Sequence, residues 1–167
     1  MRTSILATLL FLSACSHSEP RPEAELMAAM GELKPPAKDL QANEDVPIGE
    51  NEGLQSRRDH RFENVELGKH RDKETKYLWT LDDRGINCAL ERTPFPTPRG
   101  HITHTNLSSK ARFAGEAWFT GPESVMINGH SGRFGDRAQA TKAQYEAAIE
   151  YWERLGYKVS AVPLGRK

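Results

Sequence analysis

The sequence lacks an excess of charge of either sign. Its 167 residues include 23 lysines and arginines and 23 aspartates and glutamates, so the formal net charge is zero. Nucleic-acid-coating proteins carry clustered positive charge, and this balance offers no whole-chain argument for such a partner. The chain also lacks long hydrophobic runs beyond one short segment near its start, which excludes several membrane spans. We therefore predict one modest domain with no nucleic-acid partner.

The one apolar run extends from Ile5 to Ser13 and follows a short N-terminal region whose only positive charge is Arg2. Such a run is too short to cross a bilayer, whose hydrocarbon core needs about 20 helical residues. It has the length typical of the hydrophobic region of a signal peptide. It ends in Leu12-Ser13-Ala14-Cys15, which resembles the lipobox of bacterial lipoproteins.

This resemblance implies that residues 1–14 are a lipoprotein signal peptide and that Cys15 receives a diacylglycerol thioether and an N-acyl chain. Each buried methylene contributes about 0.8 kcal/mol, so several acyl chains anchor far more strongly than one. Lipoproteins retained in the inner membrane often carry Asp after the cysteine, where this chain has Ser16. The resemblance therefore implies the outer membrane, facing the periplasm or, less often, the exterior. The alternative is an ordinary secretory signal, with Cys15 a plain thiol.

The chain contains only two cysteines. With Cys15 lipidated, Cys88 has no intramolecular disulfide partner in an oxidising compartment. We predict that Cys88 is a small buried apolar side chain rather than a metal ligand or half of an intermolecular disulfide.

The composition changes along the rest of the chain. Residues 15–64 are rich in Pro, Glu, Ala, Asn and Lys and poor in β-branched and aromatic residues, which predicts a flexible tether. Residues 23–33 could form a short helix, which we interpret as transient structure in a linker. The alternative is that this helix docks on a partner or on the domain. Residues 65–76 form a densely charged approach segment. A basic anion-binding patch in residues 57–76 is the alternative, but acidic residues there nearly cancel the basic ones.

Residues 77–167 are predicted to form an α+β domain, a small antiparallel sheet of about five strands packed on one C-terminal helix. Alternating and β-branched patterns around turn residues predict two hairpins and a last short strand. The hairpins pair residues 77–81 with 86–90 and residues 111–120 with 124–128, and the last strand covers residues 157–162.

The helix has the clearest local signals. Thr141 and Gln144 fit a capping box, and Gly156 is a left-handed stop. Apolar residues recur between them at helical spacing, and Trp79, Trp118 and Trp152 are each predicted to be core residues. The apolar face comprises Tyr145, Ala148, Ile149, Trp152 and Leu155.

Candidate site residues lie in two polar, glycine-containing segments and one predicted strand. Glycine permits close backbone approach to a ligand and positive φ. A half-buried carboxylate on a strand needs a partner, for which Arg133 or a histidine is the expected choice. The candidates are His101, His104 and Thr105 in the first segment, Glu116 in the strand, and His130, Ser131 and Arg133 in the second segment.

Three short runs carry a second resemblance: G-H-x-T-H-T-N-L from 100 to 107, A-G-E-A-W-F from 114 to 119 and N-G-H-S-G-R-F from 128 to 134. With the following helix and Gly-Tyr-x-Val strand, they resemble a little-characterised module at the C-terminus of bacterial polymorphic-toxin-like and effector-like proteins. A more distant similarity is to the C-terminal part of plant IQ-motif-containing proteins. The resemblance covers about residues 77–162. It implies that certain residues match positions shared across that module, but it implies no reaction. These positions are His104, Thr105, Glu116, Ser131 and Arg133.

The sequence leaves three functions open. In the favoured one, a lipid-anchored binding module holds a small anionic ligand or a partner's acidic segment through His101, Thr105, His130, Ser131 and Arg133, because arginine holds carboxylate or phosphate with two bonds. In the second, a hydrolase or phosphodiesterase uses His104 and Glu116 for acid-base chemistry and Arg133 as the anion clamp. In the third, an immunity or envelope-assembly protein works through a protein interface.

We predict no cofactor and no metal. His101, His104 and either Glu116 or His130 could supply three zinc ligands. However, a His-x-x-His pair without a second pair is a weak zinc signal, and a strand or loop does not place such residues on one face as a helix does.

Overall fold

The structure, a computed structural model, describes residues 20–37, 53–91, 102–134 and 140–164. Within these ranges the chain forms three helices and six strands, and none of the helices is long and apolar enough to cross a membrane. In chain order they are α1 (Glu23–Met30), β1 (Gln55–Arg57), β2 (Tyr77–Asp82), β3 (Gly85–Leu90), α2 (His104–Leu107), β4 (Phe113–Gly121), β5 (Ser124–Ile127), α3 (Lys142–Arg154) and β6 (Lys158–Ala161).

The six strands form one mixed sheet in the order β1-β3-β2-β4-β5-β6. All neighbours are antiparallel except β5 and β6, which are parallel. Parallel strands need a crossover connection, and α3 provides it between β5 and β6. The predicted α+β class is confirmed, with one parallel pair and a sixth strand, β1, that comes from the predicted tether.

Both predicted hairpins are present. β2 and β3 pair from Tyr77 opposite Leu90 to Asp82 opposite Gly85, and Gly85 closes the turn with a φ of 105°. β4 and β5 pair from Ala117 opposite Ile127 to Gly121 opposite Ser124. The turn residues and the alternating patterns fix these local pairings because both strands of each hairpin are close in sequence.

Alternation along the strands separates two apolar clusters on the two faces of the sheet. The larger cluster joins α3 to the sheet and centres on Trp152, whose ring is 5.8 Å from that of Trp79 and 5.7 Å from that of Phe62. The smaller cluster lies on the other face under residues 102–107 and comprises Leu78, Ala89, Ile102 and Leu107. Cys88 is buried in the larger cluster, as predicted, at 2% exposure.

α3 has the predicted capping box at its start. The Thr141 hydroxyl accepts the Gln144 backbone N–H at 3.2 Å, and the side-chain Oε1 of Gln144 accepts the Thr141 backbone N–H at 2.9 Å. After the helix, Gly156 adopts a φ of 93°. This left-handed conformation favours glycine and turns the chain into β6.

α1 packs on α3, so part of the predicted tether belongs to the fold. Leu26 and Met30 are fully buried in the larger cluster, at 1% and 0% exposure. Arg21 fixes the start of the segment through two hydrogen bonds to Glu150, at 2.8 and 2.6 Å. Composition alone did not reveal this docking, because the apolar partners of α1 lie more than 100 residues away along the chain.

We expect the replacement Trp152→Ala to destabilise the domain by about 3–5 kcal/mol, because it leaves a cavity among Phe62, Trp79, Phe119 and Tyr157. Urea unfolding monitored by circular dichroism measures this loss. The neighbouring replacement Glu153→Ala is the control, since Glu153 is exposed and should change the free energy of unfolding by less than about 0.5 kcal/mol. Equal effects of the two changes would contradict the placement of α3.

Candidate functional site

The described residues include six of the predicted site positions, and these come from α2, β4 and the segment after β5. His101 and the predicted lipidation site Cys15 lie outside the described residues. Of the six, His104, Thr105 and Ser131 are buried, and Glu116, His130 and Arg133 are partly buried.

His104 is the first residue of α2, and its side chain points onto β4. Its Nε2–H donates to the Gly115 carbonyl at 2.8 Å, and only 7% of the residue is exposed. Because a carbonyl oxygen can only accept, this contact identifies Nε2 as the protonated nitrogen of the neutral ring. The other ring nitrogen, Nδ1, is then unprotonated.

The lack of a side chain at Gly115 lets the backbone of Asn128 pass directly over β4. A Cβ atom at position 115 would overlap the Asn128 carbonyl and approach Trp79 Nε1 at 2.9 Å. The Trp79 indole N–H uses the same space to donate to the Glu116 carbonyl at 3.1 Å. Any larger residue at 115 would therefore separate β4 from the segment after β5, on which His130, Ser131 and Arg133 lie.

Glu116 is held by Lys76 and Asn128, not by the predicted partners Arg133 or a histidine. Its Oε1 lies 3.1 Å from Lys76 Nζ, and its Oε2 accepts Asn128 Nδ2–H at 2.8 Å. Lys76 also pairs with Glu91 at 2.6 Å. Burial acts to lower the pKa of Lys76, but its hydrogen bonds to Glu91 and Glu116 outweigh this effect and raise the pKa.

Asn128 ties the carboxylate to the glycine-rich segment. Its Oδ1 accepts the backbone N–H groups of Glu116 and His130, each at 3.0 Å. Its own backbone N–H donates to the Glu116 carbonyl at 2.9 Å. Asn128 is not among the residues predicted from the sequence, because its role follows from the close approach of β4 and is not apparent from the Asn-Gly pair alone.

Burial lowers the pKa of His104 to about 4. Its bond to Gly115 and the charge of Glu116 oppose this shift, whereas the charges of Lys76 and Arg133 add to it. Two conclusions follow. His104 is neutral at physiological pH, and His104, Glu116 and Arg133 lie close enough for their charges to interact.

The segment from 130 to 134 folds back on the Ser131 hydroxyl. Ser131 Oγ accepts the N–H groups of Arg133, at 3.3 Å, and Phe134, at 3.1 Å. The Arg133 carbonyl accepts the N–H of Ala37 at 2.6 Å. Nε2 of His130 is buried and has no hydrogen-bond partner among the described residues. Ser131 thus shapes the turn that presents His130 and Arg133.

Thr105 contributes to the local structure of α2. Its hydroxyl lies 2.7 Å from that of Thr103, whose own N–H donates to Asn106 Oδ1 at 2.7 Å. These bonds satisfy groups at the start of the short helix. Thr105 directly follows His104 in the sequence, and its hydroxyl makes its hydrogen bond to Thr103.

A second polar network, which the sequence analysis missed, fixes α2 to the sheet. Ser108 Oγ donates to Asp82 at 2.6 Å and accepts hydrogen bonds from Thr80 and Asn87, each at 3.1 Å. Burial acts to raise the pKa of Asp82, but bonds from Arg84 and Ser108 outweigh it and lower the pKa. Polar residues that alternate with the core positions of β2 were the sequence signal for this network. Their common partner, Ser108, lies more than 20 residues away and was not apparent from that pattern.

No protein family model matches the chain, and neither the curated proteins nor the solved structures give a significant match. The described residues contain no group of three His, Cys, Asp or Glu side chains arranged to hold a metal ion. The candidate site is therefore interpreted from its own geometry.

We expect acid to destabilise the protein partly through His104. The unfolded chain binds a proton near pH 6.5, whereas folded His104 resists protonation until about pH 4. The contribution of His104 to the free energy of unfolding is therefore fully present above pH 6.5. It is lost as the pH drops from 6.5 to 4 and amounts to roughly 3 kcal/mol. In His104→Gln, which keeps a donor for Gly115, the acid-induced loss should be smaller by about this amount.

Urea unfolding at pH 7.5 and pH 4 measures the difference between the two proteins. Other acid-sensitive groups, such as Asp82, contribute equally to both and cancel. His60→Gln is the matched control because His60 is exposed, and it should keep the wild-type pH profile. A wild-type profile in His104→Gln would show that His104 is not buried as a neutral ring.

Proposed function

We propose that this chain is a lipid-anchored protein of the bacterial envelope whose α+β domain binds a small anionic ligand or an acidic segment of a partner. The lipobox-like run ending at Cys15 supports the anchor. The grouping of His104, Glu116, His130 and Arg133 beside the Asn128–Gly129 turn supports a binding site.

The observation that supports binding over catalysis is that both acid-base candidates, His104 and Glu116, already have hydrogen-bond partners within the protein. His104 has its pKa at about 4 and is bonded to Gly115, so it does not titrate near neutral pH. Glu116 is paired with Lys76 and bonded to Asn128. Acid-base catalysts work best with a pKa near the working pH and a free path to the substrate. Both side chains are instead held in place by hydrogen bonds beside the Asn128–Gly129 turn, as expected of residues that support a ligand-binding site.

The chemistry of the turn favours an anion. Arg133 offers a planar guanidinium that can hold carboxylate or phosphate with two parallel bonds. His130 adds a ring nitrogen that is buried and has no partner among the described residues. A buried polar atom without a partner costs free energy, and a ligand that bonds to it removes that cost.

A hydrolase is the second candidate, and one observation favours it. The Nε2–H of His104 donates to Gly115, which leaves Nδ1 unprotonated, and His104 interacts electrostatically with Glu116. Such a nitrogen could accept a proton from water or a hydroxyl group, with Arg133 stabilising the developing negative charge. A hydrolase of this kind would lose activity in His104→Gln, whereas a binding module would keep its affinity.

Anion binding is tested by thermal denaturation of the chain from Ser16 onward with inorganic phosphate, a phosphomonoester and a dicarboxylate. A ligand at about 100 times its dissociation constant stabilises the folded state by about 2.7 kcal/mol, which raises Tm by several degrees. We expect at least one of these anions to raise Tm in the wild type, and Arg133→Ala to abolish the increase.

The matched control is Lys69→Ala, which removes an exposed cation elsewhere and should leave the increase intact. Arg133→Lys keeps the charge without the planar fork and should give a smaller increase than wild type. An increase that persists unchanged in Arg133→Ala, or no increase with any of the three anions, would reject the proposed site.

The anchor is tested by growing bacteria that express the full chain with alkyne-tagged palmitate. We expect the wild type to incorporate the tag and to sediment with membranes, and Cys15→Ser to do neither. Cys88→Ser removes the only other cysteine and should keep both properties. An untagged wild-type protein, or a tagged Cys15→Ser protein, would reject lipidation at Cys15.

A further inference from the structure

The segment from Pro20 to Ala37 is a strap that is fixed to the domain along its length. At its start, the Arg21 guanidinium bonds to both carboxylate oxygens of Glu150. Glu23 then forms ion pairs with Arg58 at 3.0 Å and with Arg154 at 3.8 Å. These contacts place the first described residues of the chain against the C-terminal half of α3.

The middle of the strap is held by apolar burial. Leu26 and Met30, one helical turn apart, are buried in the same cluster as Ala147, Ala148 and Tyr151 of α3. Fully burying a Leu or Met side chain contributes about 1.5–3 kcal/mol. Two such side chains and the Arg21 pair therefore give the strap a substantial docking free energy compared with a free linker.

The end of the strap continues along the domain to the candidate site. The Gln144 amide donates to the Met30 carbonyl at 3.2 Å, Lys34 pairs with Ala111 through two backbone bonds, and the Ala37 N–H bonds to the Arg133 carbonyl. Backbone pairing of this kind fixes the path of the chain independently of side-chain identity. The strap is therefore part of the domain from its first described residue.

We infer that the docked strap holds the domain close to the surface of the membrane in which the lipid on Cys15 is inserted. This inference rests on the proposed lipidation of Cys15. Five residue steps separate Cys15 from Pro20, and a fully extended chain spans at most about 18 Å over them. The lipidated cysteine lies at the level of the headgroups, so Pro20, three residues before α1, stays within that distance of the bilayer.

A free tether would act differently. A flexible chain of the length predicted from composition, residues 15–64, has a root-mean-square span of roughly 40 Å and reaches roughly 170 Å when stretched. Docking of α1 removes that reach. The membrane-facing surface is then the side of the domain around the start of α1, which includes Arg58 and Arg154.

The membrane-facing side of the domain is expected to lie against zwitterionic or mixed lipids more readily than against strongly anionic lipids. Its arginines are already paired with Glu23 and Glu150, so the local positive charge is largely neutralised. The covalent anchor and the short reach hold the domain at the bilayer, and attraction to charged lipids is not required. The position should therefore be insensitive to salt, because electrostatic attraction to a membrane is screened within about 10 Å at 0.1 M.

The test uses the full lipidated protein, reconstituted in vesicles of phosphatidylethanolamine and phosphatidylglycerol that contain a headgroup nitroxide lipid. A fluorophore is attached through a cysteine introduced at exposed Ala24 of α1 or at exposed Lys73. Lys73 adjoins Asp72, whose carbonyl accepts the Trp118 indole on the sheet face turned away from α3. Cys88 is buried and Cys15 is acylated, so the unsubstituted protein should not take up the fluorophore.

We expect quenching at Ala24 to exceed quenching at Lys73 by about twofold or more, at low and at high salt. Inserting a Gly/Ser linker of about 20 residues before Pro20 leaves Leu26 and Met30 in place and restores a long reach. Quenching at Ala24 should then fall to the Lys73 level. Equal quenching at the two sites, or no effect of the insertion, would overturn the inference.

Two further measurements separate this inference from the proposed anchor. Palmitate labelling of the same preparation reports lipidation directly. Hydrogen exchange of the α1 amides in Cys15→Ser reports docking without any lipid, and the double variant Leu26→Asp, Met30→Asp is its undocked reference. Protected α1 amides without lipid label would reject the anchor alone. Amides that exchange as fast as in the double variant would reject the strap.

Discussion

The structure depends on the packing of α3 across the sheet around Trp152. This indole lies within about 6 Å of the rings of Phe62, Trp79, Phe119 and Tyr157, which come from four separate parts of the chain. Because aromatic side chains bury large apolar areas, this cluster supplies much of the free energy that holds the domain together. α3 in turn offers its remaining apolar surface to α1, so the strap docks only where this cluster has formed.

The same cluster sets the position of the candidate site through β4. Residues of β4 that face α3 alternate with Glu116, which faces the other way toward Lys76. The missing side chain of Gly115, next to Glu116, lets Asn128 approach, and the Gly115 carbonyl accepts the Nε2–H of His104. A single backbone position thus connects the core, the buried histidine and the turn that carries Arg133.

Local patterns in the sequence were sufficient to predict most of the domain. Both hairpins, the capping box at Thr141 and the stop at Gly156 depend on neighbours within a few residues, and all are present. The partners of Glu116 and the Ser108 network were not predicted, and the docking of α1 was not the favoured interpretation, because each joins residues 12 to more than 100 positions apart. Pattern and composition carry no distance information at that range.

The docked strap ties the candidate site to the core of the domain. Its side chains Leu26 and Met30 are buried with α3, and its last described residue, Ala37, bonds to the backbone of Arg133. Release of the whole strap would therefore remove a backbone contact from the turn that presents the guanidinium. Under the proposed lipidation of Cys15, the same release would also lengthen the reach of the domain from the bilayer. The segment proposed to set the distance to the membrane is thus also one that shapes the candidate site.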